Sequence, residues 1–354
     1  MTAAPFELTL ELQPRARFDA IDVRERVSRL HGDALDAYPR TVYCSFHTTA
    51  GYLDQGLAAR LNRKGLHGYI DAFRALFPEG AGYRHDALDE RRELSDEQRQ
   101  IEPRNADSHL AFIAAGLRTC VSYVNWRGTP VSFVDLDGVY EGRARRRQTS
   151  IVGYHGEARV ERIRVSVPVS GHPIDSINLK DPRLGLYDQF GDLIARHGVT
   201  KGRLRLELAH GERQAGLTVN EYETLLMRHD LVEVLRNPIR FMAEKSRHAL
   251  RDPRAIPSKT LGYAKYDLVR ALNQFVEALG LSESLIERML ARAMALPAER
   301  FLRMKRSVSL LVSDRSAPGH GAIVEGTYQS PILVQWHQAP GRVRHLDVTL
   351  DRFV

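Results

Sequence analysis

Hydrophobic and polar residues alternate at the start of the chain, where residues 6–12 place Phe or Leu at every second position. This period of two is typical of a half-buried β-strand. The same alternation returns at residues 163–169, and each segment is followed by a turn and an Ile-Asp pair, Ile21-Asp22 and Ile174-Asp175. The pattern therefore predicts that one arrangement of strands occurs twice.

Later segments recur in the same order. Strand-like residues 42–46 and 204–208 each lead to an Ala-Gly step, and each half closes with two strand-like segments around a turn. A repeat of this size indicates a duplicated domain rather than a solenoid. We predict copy one at residues 1–155 and copy two at residues 156–354.

Each copy also has a helical pattern in its middle. Ile70, Phe73 and Phe77 lie at helical spacing in copy one. Copy two carries a longer insertion, about residues 236–300, with an apolar stripe over 268–279 and a capping box formed by Ser284 and Glu287. The predicted fold class is α+β, with two tandem β-sandwich-like units that have helices in the middle of each unit.

The composition is that of a globular protein, with 43% hydrophobic and 27% charged residues. No apolar run of about 18 residues predicts a membrane span, and residues 1–8 lack the pattern of a signal peptide. Cys44 and Cys120 are the only cysteines, which suits a reducing compartment. We expect a cytoplasmic protein without a membrane partner.

The net charge of +7 raises the question of a nucleic-acid partner. Residues 1–155 hold 21 basic and 21 acidic residues, so the excess lies in the rest of the chain, with 30 basic and 23 acidic residues. There the two signs are interspersed, as on a solvated helical face. The charge pattern favours small anions over nucleic acid as partners.

The first candidate for chemistry is His47, which ends the strand-like segment 42–46. If Val42, Cys44 and Phe46 face the core, His47 faces the other way, followed by Thr48 and Thr49. An imidazole, two hydroxyls and a small-residue turn suit an anion. The alternative is a packed histidine beside threonines chosen for β propensity.

Two further segments place histidines beside polar groups that can orient them. His85 is followed by Asp86, and His109 follows Asn105 in the segment Asn-Ala-Asp-Ser-His-Leu. The sequence predicts that these histidines join His47 in a cluster.

At these residues the chain resembles the YjbQ family, also called secondary thiamine-phosphate synthases. The matching motifs are His-Thr-Thr-Ala at 47–50, Tyr-Arg-His at 83–85, Asn-Ala-x-x-His-Leu at 105–110, and Asp-Leu-Asp-Gly at 135–138. Two family features are missing from copy one: Asn-Glu after the first motif, and Gly-Thr-Trp-Gln before the final strands. The resemblance implies two fused, diverged units in an oligomeric assembly.

Copy two has the complementary pattern. It offers Asn220-Glu221 and Gln329 where copy one departs from the family, but Glu212 stands opposite His47. One hypothesis is a composite site to which both copies contribute. The other is that copy two decayed into a scaffold, and the sequence leaves both open.

The closing strands of copy one add charged candidates. Asp135 and Asp137 share one face of a strand, and Arg143 and Arg145 share a face after the turn. These four residues form either an ion-pair ladder or the wall of a site, in which arginine suits a phosphate or sulfate. The resemblance favours a catalytic role for Asp135.

The resemblance implies a biosynthetic transferase that displaces a phosphate-type or sulfate leaving group, as in joining a pyrimidine-methyl diphosphate to a thiazole phosphate. The histidines would move protons and stabilise charge. Two alternatives remain: a hydrolase with a divalent metal on His47, His85 and His109, and a non-catalytic anion-binding or scaffold partner of another biosynthetic protein.

Overall fold

The computed structural model describes residues 3–126, 128–237, 240–241, 244–245 and 304–354, without the side chains of 62–64. The apolar stripe at 268–279 and the capping box at Ser284 lie outside the described residues. The described chain forms two compact units. Unit one contains Met1–Leu57, Leu117–Tyr222 and Met304–Val354, and unit two contains Ala58–Gly116 and Glu223–Arg303.

The strands of copy one lie in unit one and form two main sheets with a small hairpin. The strands are β1 (Phe6–Leu12), β2 (Asp19–Asp22), β3 (Arg40–Ser45), β4 (Ala50–Gly51), β5 (Cys120–Val124), β6 (Ser132–Asp135), β7 (Val139–Tyr140), β8 (Arg143–Ala144) and β9 (Arg147–Tyr154). The sheets have the orders β1-β9-β3-β5 and β2-β6-β4, and β7 pairs with β8.

Copy two repeats this topology, also within unit one. Its strands are β10 (Glu157–Pro168), β11 (Asp175–Asn178), β12 (Lys201–Leu208), β13 (Ala215–Asn220), β14 (Ser307–Ser313), β15 (Ala322–Val324), β16 (Ser330–Gln335) and β17 (Val343–Phe353). The sheets have the orders β10-β17-β12-β14-β15 and β11-β16-β13. Apart from the added β15, each order matches the corresponding order in copy one.

Helices with defined bounds include one over Ile70 and Phe73, where the sequence pattern predicts a helix. They are α1 (Val23–His31), α2 (Gln55–Leu76), α3 (Asp96–Ile101), α4 (Ala106–Ala114), α5 (Leu186–Arg196) and α6 (Leu231–Arg236), with a π-helical turn at Leu226–Asp230. Asp22 caps α1, and Ser95 forms a capping box with Gln98 at α3. Helices and antiparallel sheets together confirm the α+β class. No described helix is long and apolar enough to cross a membrane.

The core of each copy lies between its two sheets. In copy two, Leu206 of β12, Leu217 of β13 and Phe190 of α5 belong to one buried cluster. In copy one, Tyr52 joins the sheets because its ring lies 5.5 Å from the rings of both Tyr43 and Phe133. The boundary between the copies at residue 155 stays a prediction.

The other face of the copy-one sheet packs against copy two. Val42 and Cys44 form a buried cluster with Leu311 of β14 and Phe353 of β17. Phe353 stacks on Tyr154, with ring centroids 4.3 Å apart. Val42 and Cys44 thus face a core, and residues 41–45 are all buried because the opposite face of the strand is covered as well.

The structure also corrects one detail of the repeat. Asp175 accepts the backbone N–H groups of Ser170 and Ser176, as Asp19 accepts those of Arg15 and Ala20. Asp175 therefore corresponds to Asp19 and not to Asp22.

In each copy, an isolated backbone β-bridge joins the two ends of the long segment between the strands. Tyr52 forms a backbone bridge with Arg118, and Leu217 forms one with Lys305. The chain leaves and re-enters the sheets beside these bridges.

Gly326 provides a test of the packing between the copies. A Cβ atom at this position would lie 1.9 Å from the carbonyl oxygen of Phe46, so a side chain requires the backbone to move. We expect Gly326→Ala to lower the free energy of unfolding by about 1–3 kcal/mol in urea titrations.

Gly191→Ala is the matched control, since Gly191 lies inside α5 and a Cβ there meets nothing within 4 Å. Alanine is the better helix former by about 0.5–1 kcal/mol, so this variant should be neutral or stabilised. Equal effects of the two substitutions would contradict the close packing at Gly326.

Candidate functional site

His47 lies in the loop after β3, and Ser45 shapes that loop. The Ser45 hydroxyl donates to the carbonyl of Ala50 at 2.7 Å and accepts the backbone N–H of His47 at 3.2 Å. The ring of His47 then accepts the backbone N–H of Gln148 through Nε2 at 2.7 Å. Since Nε2 is an acceptor, the neutral ring carries its proton on Nδ1.

The surroundings keep this ring neutral. The pKa of His47 is lowered from 6.5 to about 3, mainly by burial and in addition by the nearby charges of Arg147 and Arg145. The Nε2 lone pair is already used by a backbone amide, so His47 fits poorly as a metal ligand or base at that atom. Its Nδ1–H is suited to donate a hydrogen bond.

Beside His47 lies a buried carboxylate and guanidinium pair. Asp135 accepts Nε and Nη2 of Arg147 at 2.7 and 2.9 Å, and also the N–H of Asp137. Burial raises the pKa of Asp135, while Arg147 acts in the opposite direction. Asp137 is paired with Arg145 at 3.1 Å. These contacts form an ion-pair ladder, one of the two expected arrangements.

The ladder uses Arg145 and Arg147, whereas Arg143 is exposed on β8. Arg143 lies on the exposed β7–β8 hairpin, outside this ladder, and its assignment to an anion-binding wall stays a prediction. Sequence reasoning missed Arg147, although the same every-second-residue rule, extended by one step, finds it.

Thr49 is buried with its hydroxyl 3.5 Å from Arg147, and Thr48 is half-buried.

Copy two contributes side-chain amides to the His47 loop. Gln329 donates to the carbonyls of Ser45 and His47 at 3.0 and 2.9 Å. Its side-chain oxygen accepts the N–H of Gly326. Asn220 donates to the carbonyl of Thr48 at 3.1 Å, and its side-chain oxygen accepts the N–H of Glu221, which is half-buried. Asn220 and Gln329 thus hold the backbone of the loop.

The corresponding place in copy two has different chemistry but the same backbone contacts. Glu212 accepts the N–H of His345 at 2.9 Å, as His47 accepts that of Gln148. Arg344 donates to the carbonyl of His337 at 2.7 Å, as Arg147 does to that of Asp137. Arg344 also pairs with Glu212 at 2.8 Å.

His85 and His109 lie together in unit two, whereas His47 belongs to unit one. Both rings of the pair are buried, and their centroids are 5.4 Å apart. His85 Nδ1 lies 3.0 Å from Asp86 Oδ1, and the same oxygen accepts the N–H of Ala106 at the start of α4. Asp86 therefore ties the orientation of His85 to the helix that carries His109.

Other buried polar groups surround this pair within unit two. Arg91 Nη1 lies 3.5 Å from His85 Nε2 and 2.8 Å from Glu102. Asn105 precedes α4 and is buried. Asp230 accepts the backbone N–H groups of Arg84 and His85, and burial raises its pKa to about 6. Sequence reasoning missed Arg91 and Asp230, because neither belongs to a recognisable motif.

Three solved structures are similar to about half of this chain. A YbjQ-like protein of unknown function from Sulfolobus solfataricus P2 is 15% identical with a TM-score of 0.28, over 56% of this chain and 99% of that protein. A hypothetical protein from Aeropyrum pernix K1 is 15% identical with a TM-score of 0.28, over 54% and 98%. An uncharacterised protein of the YjbQ/UPF0047 family from Clostridium acetobutylicum is 14% identical with a TM-score of 0.27, over 53% and 98%. No family model and no curated protein matches the chain.

The low pKa of His47 predicts a pH-dependent stability. The unfolded chain binds a proton near pH 6.5 and the folded chain only near pH 3, so stability falls as pH drops through this window. His47→Gln keeps an acceptor without titrating. The difference in unfolding free energy, wild type minus variant, should shrink by up to about 1.4 kcal/mol per pH unit below pH 6.5.

The control is Gln338→Ala, an exposed position at which no titratable group is changed. Its difference from wild type should stay constant over the same pH range. A His47→Gln difference that does not change with pH would contradict the buried neutral ring.

Because the Gln329 side chain holds the His47 loop, its removal should lower the stability of the protein. Gln329→Ala leaves two carbonyls and one N–H without their side-chain partner, so urea titrations should show a loss of about 1–3 kcal/mol. Gln338→Ala, at an exposed position, should stay within about 0.5 kcal/mol of wild type. A wild-type value for Gln329→Ala would argue against the bracing role.

Proposed function

We propose that this protein is an enzyme that displaces a phosphate-type or sulfate leaving group from an anionic small molecule. The observation that carries the proposal is the buried pair of His85 and His109, in which Asp86 accepts from Nδ1 of His85. A carboxylate on Nδ1 leaves Nε2 as the basic atom of the ring. An oriented, buried imidazole is the usual form of a general base.

In the proposed step, the nucleophile gives its proton to Nε2 of His85 as it forms a bond to the electrophilic carbon. The carbon–oxygen bond to the leaving group breaks, and the electron pair leaves on the phosphate or sulfate oxygen. Asp86 stabilises the imidazolium that results. Arg91 Nη1 lies 3.5 Å from Nε2, at the limit of a hydrogen bond, so it leaves this nitrogen more accessible than that of His47, and its charge favours return of the proton after each turnover.

Asn220 and Gln329 of copy two position the His47 loop, since their amides bind its backbone carbonyls. His47, through Nδ1–H, and Thr48 are the groups there that suit an anion. A cytoplasmic location and an oligomeric assembly remain predictions from the sequence.

The test is release of phosphate or diphosphate from a panel of small phosphate and diphosphate esters, including pyrimidine-methyl diphosphate with thiazole phosphate. We expect turnover of at least one member. His85→Gln should lower kcat/KM by about 10²–10⁴-fold, because a general base contributes that range.

His229→Gln is the matched control, since His229 is exposed in unit two. Its activity should stay near that of the wild type. If no panel member turns over, or if both variants lose activity equally, the enzymatic proposal fails and a non-catalytic anion-binding role is favoured.

A second candidate is a metal-dependent hydrolase, favoured by the close approach of two buried imidazoles. In that case added Zn²⁺ or Mn²⁺ should raise the melting temperature of the wild type. The shift should disappear in His109→Gln.

A further inference from the structure

A cavity of about 500 Å³ lies in copy two, between the loop after β12 and the loop before β17. Its volume is in the range of sites for small molecules. The charged and titratable side chains that line it are mostly basic. They are Arg164, His210, Glu212, Arg213, His337, Arg344 and His345.

The lining has an excess of positive charge. Three guanidinium groups face one carboxylate, Glu212, which pairs with the buried Arg344. Arg164 is bound to Asp347. Arg213 is exposed, and no residue in the described part of the chain pairs with its guanidinium group. This leaves at least one guanidinium group available to a ligand.

Arg344 is held rigidly at the back of the cavity. It donates to the backbone carbonyls of Arg213 and His337, each of which lies on one of the two loops that line the cavity. The same arginine therefore fixes both loops in place. A site whose walls are fixed before binding loses less free energy on ordering when a ligand enters.

The connection before the last strand of copy two carries no carboxylate that could pair with the arginines of the cavity. In copy one, residues 136–146 join Asp135 to Arg147 and include the acidic residues Asp137 and Glu141. In copy two, residues 336–343 join Gln335 to Arg344, three residues fewer, and contain no acidic residue. The same place in the fold thus carries an ion-pair ladder in one copy and a basic cavity in the other.

We propose that this cavity binds a small molecule through a phosphate-type dianion. The guanidinium group of Arg213 presents paired donors that match two oxygens of a phosphate. His210 is exposed at the same cavity, and its ring N–H is a further donor. The site is separate from the histidine pair of unit two and requires no turnover there.

Calorimetric titration of the full chain tests the proposal, with inorganic phosphate and phenyl phosphate as probes at constant ionic strength. We expect saturable binding that Arg213→Gln weakens about tenfold or more, because the variant lacks the charge-assisted hydrogen bonds to the anion. Tighter binding of phenyl phosphate indicates an organic ester as ligand, and equal binding indicates free phosphate.

Arg196→Gln is the control for general electrostatics, because Arg196 lies on α5 with a side chain 65% exposed. Its affinity should stay within about twofold of wild type. His85→Gln should bind phosphate as the wild type does, so loss of turnover and loss of this site are told apart. Absence of binding, wild-type affinity in Arg213→Gln, or equal weakening in Arg196→Gln would overturn the proposal.

Discussion

The sheet β1-β9-β3-β5 has two apolar faces, and an apolar sheet face is stable only when something covers it. One face packs on the aromatic residues Tyr52 and Phe133 of its own copy. The other packs on Leu311 and Phe353 of copy two. Each buried side chain of this kind contributes about 1.5–3 kcal/mol, so the second copy is part of what keeps the first one folded. Because copy two covers this face, Gly326 can lie against Phe46, and the amide of Gln329 can donate to the carbonyls of Ser45 and His47.

The two copies use different residues to neutralise the charge of a buried arginine. Each buries an arginine at the start of its last strand, and a buried guanidinium group requires an anionic partner. In copy one Asp135 supplies it, and the neutral ring of His47 accepts the nearby amide. In copy two Gln335 is neutral, and Glu212 supplies both the charge and the amide acceptor. The carboxylate that pairs with the arginine thus lies on a strand in copy one and in a loop in copy two, while the backbone contacts are the same.

Much of the fold was accessible from the sequence because alternation and helical spacing report directly on burial. The α+β class and the repeated order of strands follow from such patterns. At β3, alternation placed Val42 and Cys44 in a core but did not reveal that this core is shared with Leu311 and Phe353, which lie far along the chain. For the site, motifs pointed to His85 and His109, but Arg91 and Asp230 are brought close only by tertiary packing. The placement of Arg143 depended on a hairpin that spacing alone does not reveal.

The bridges Tyr52 to Arg118 and Leu217 to Lys305 have a consequence for how such a chain diversifies. Each bridge holds the two ends of a long connecting segment side by side, so the distance between these ends is fixed. The entropy of closing a loop grows only with the logarithm of its length. Segments of very different size and sequence can therefore be exchanged between the same two anchor points while the strand register beneath them stays constant.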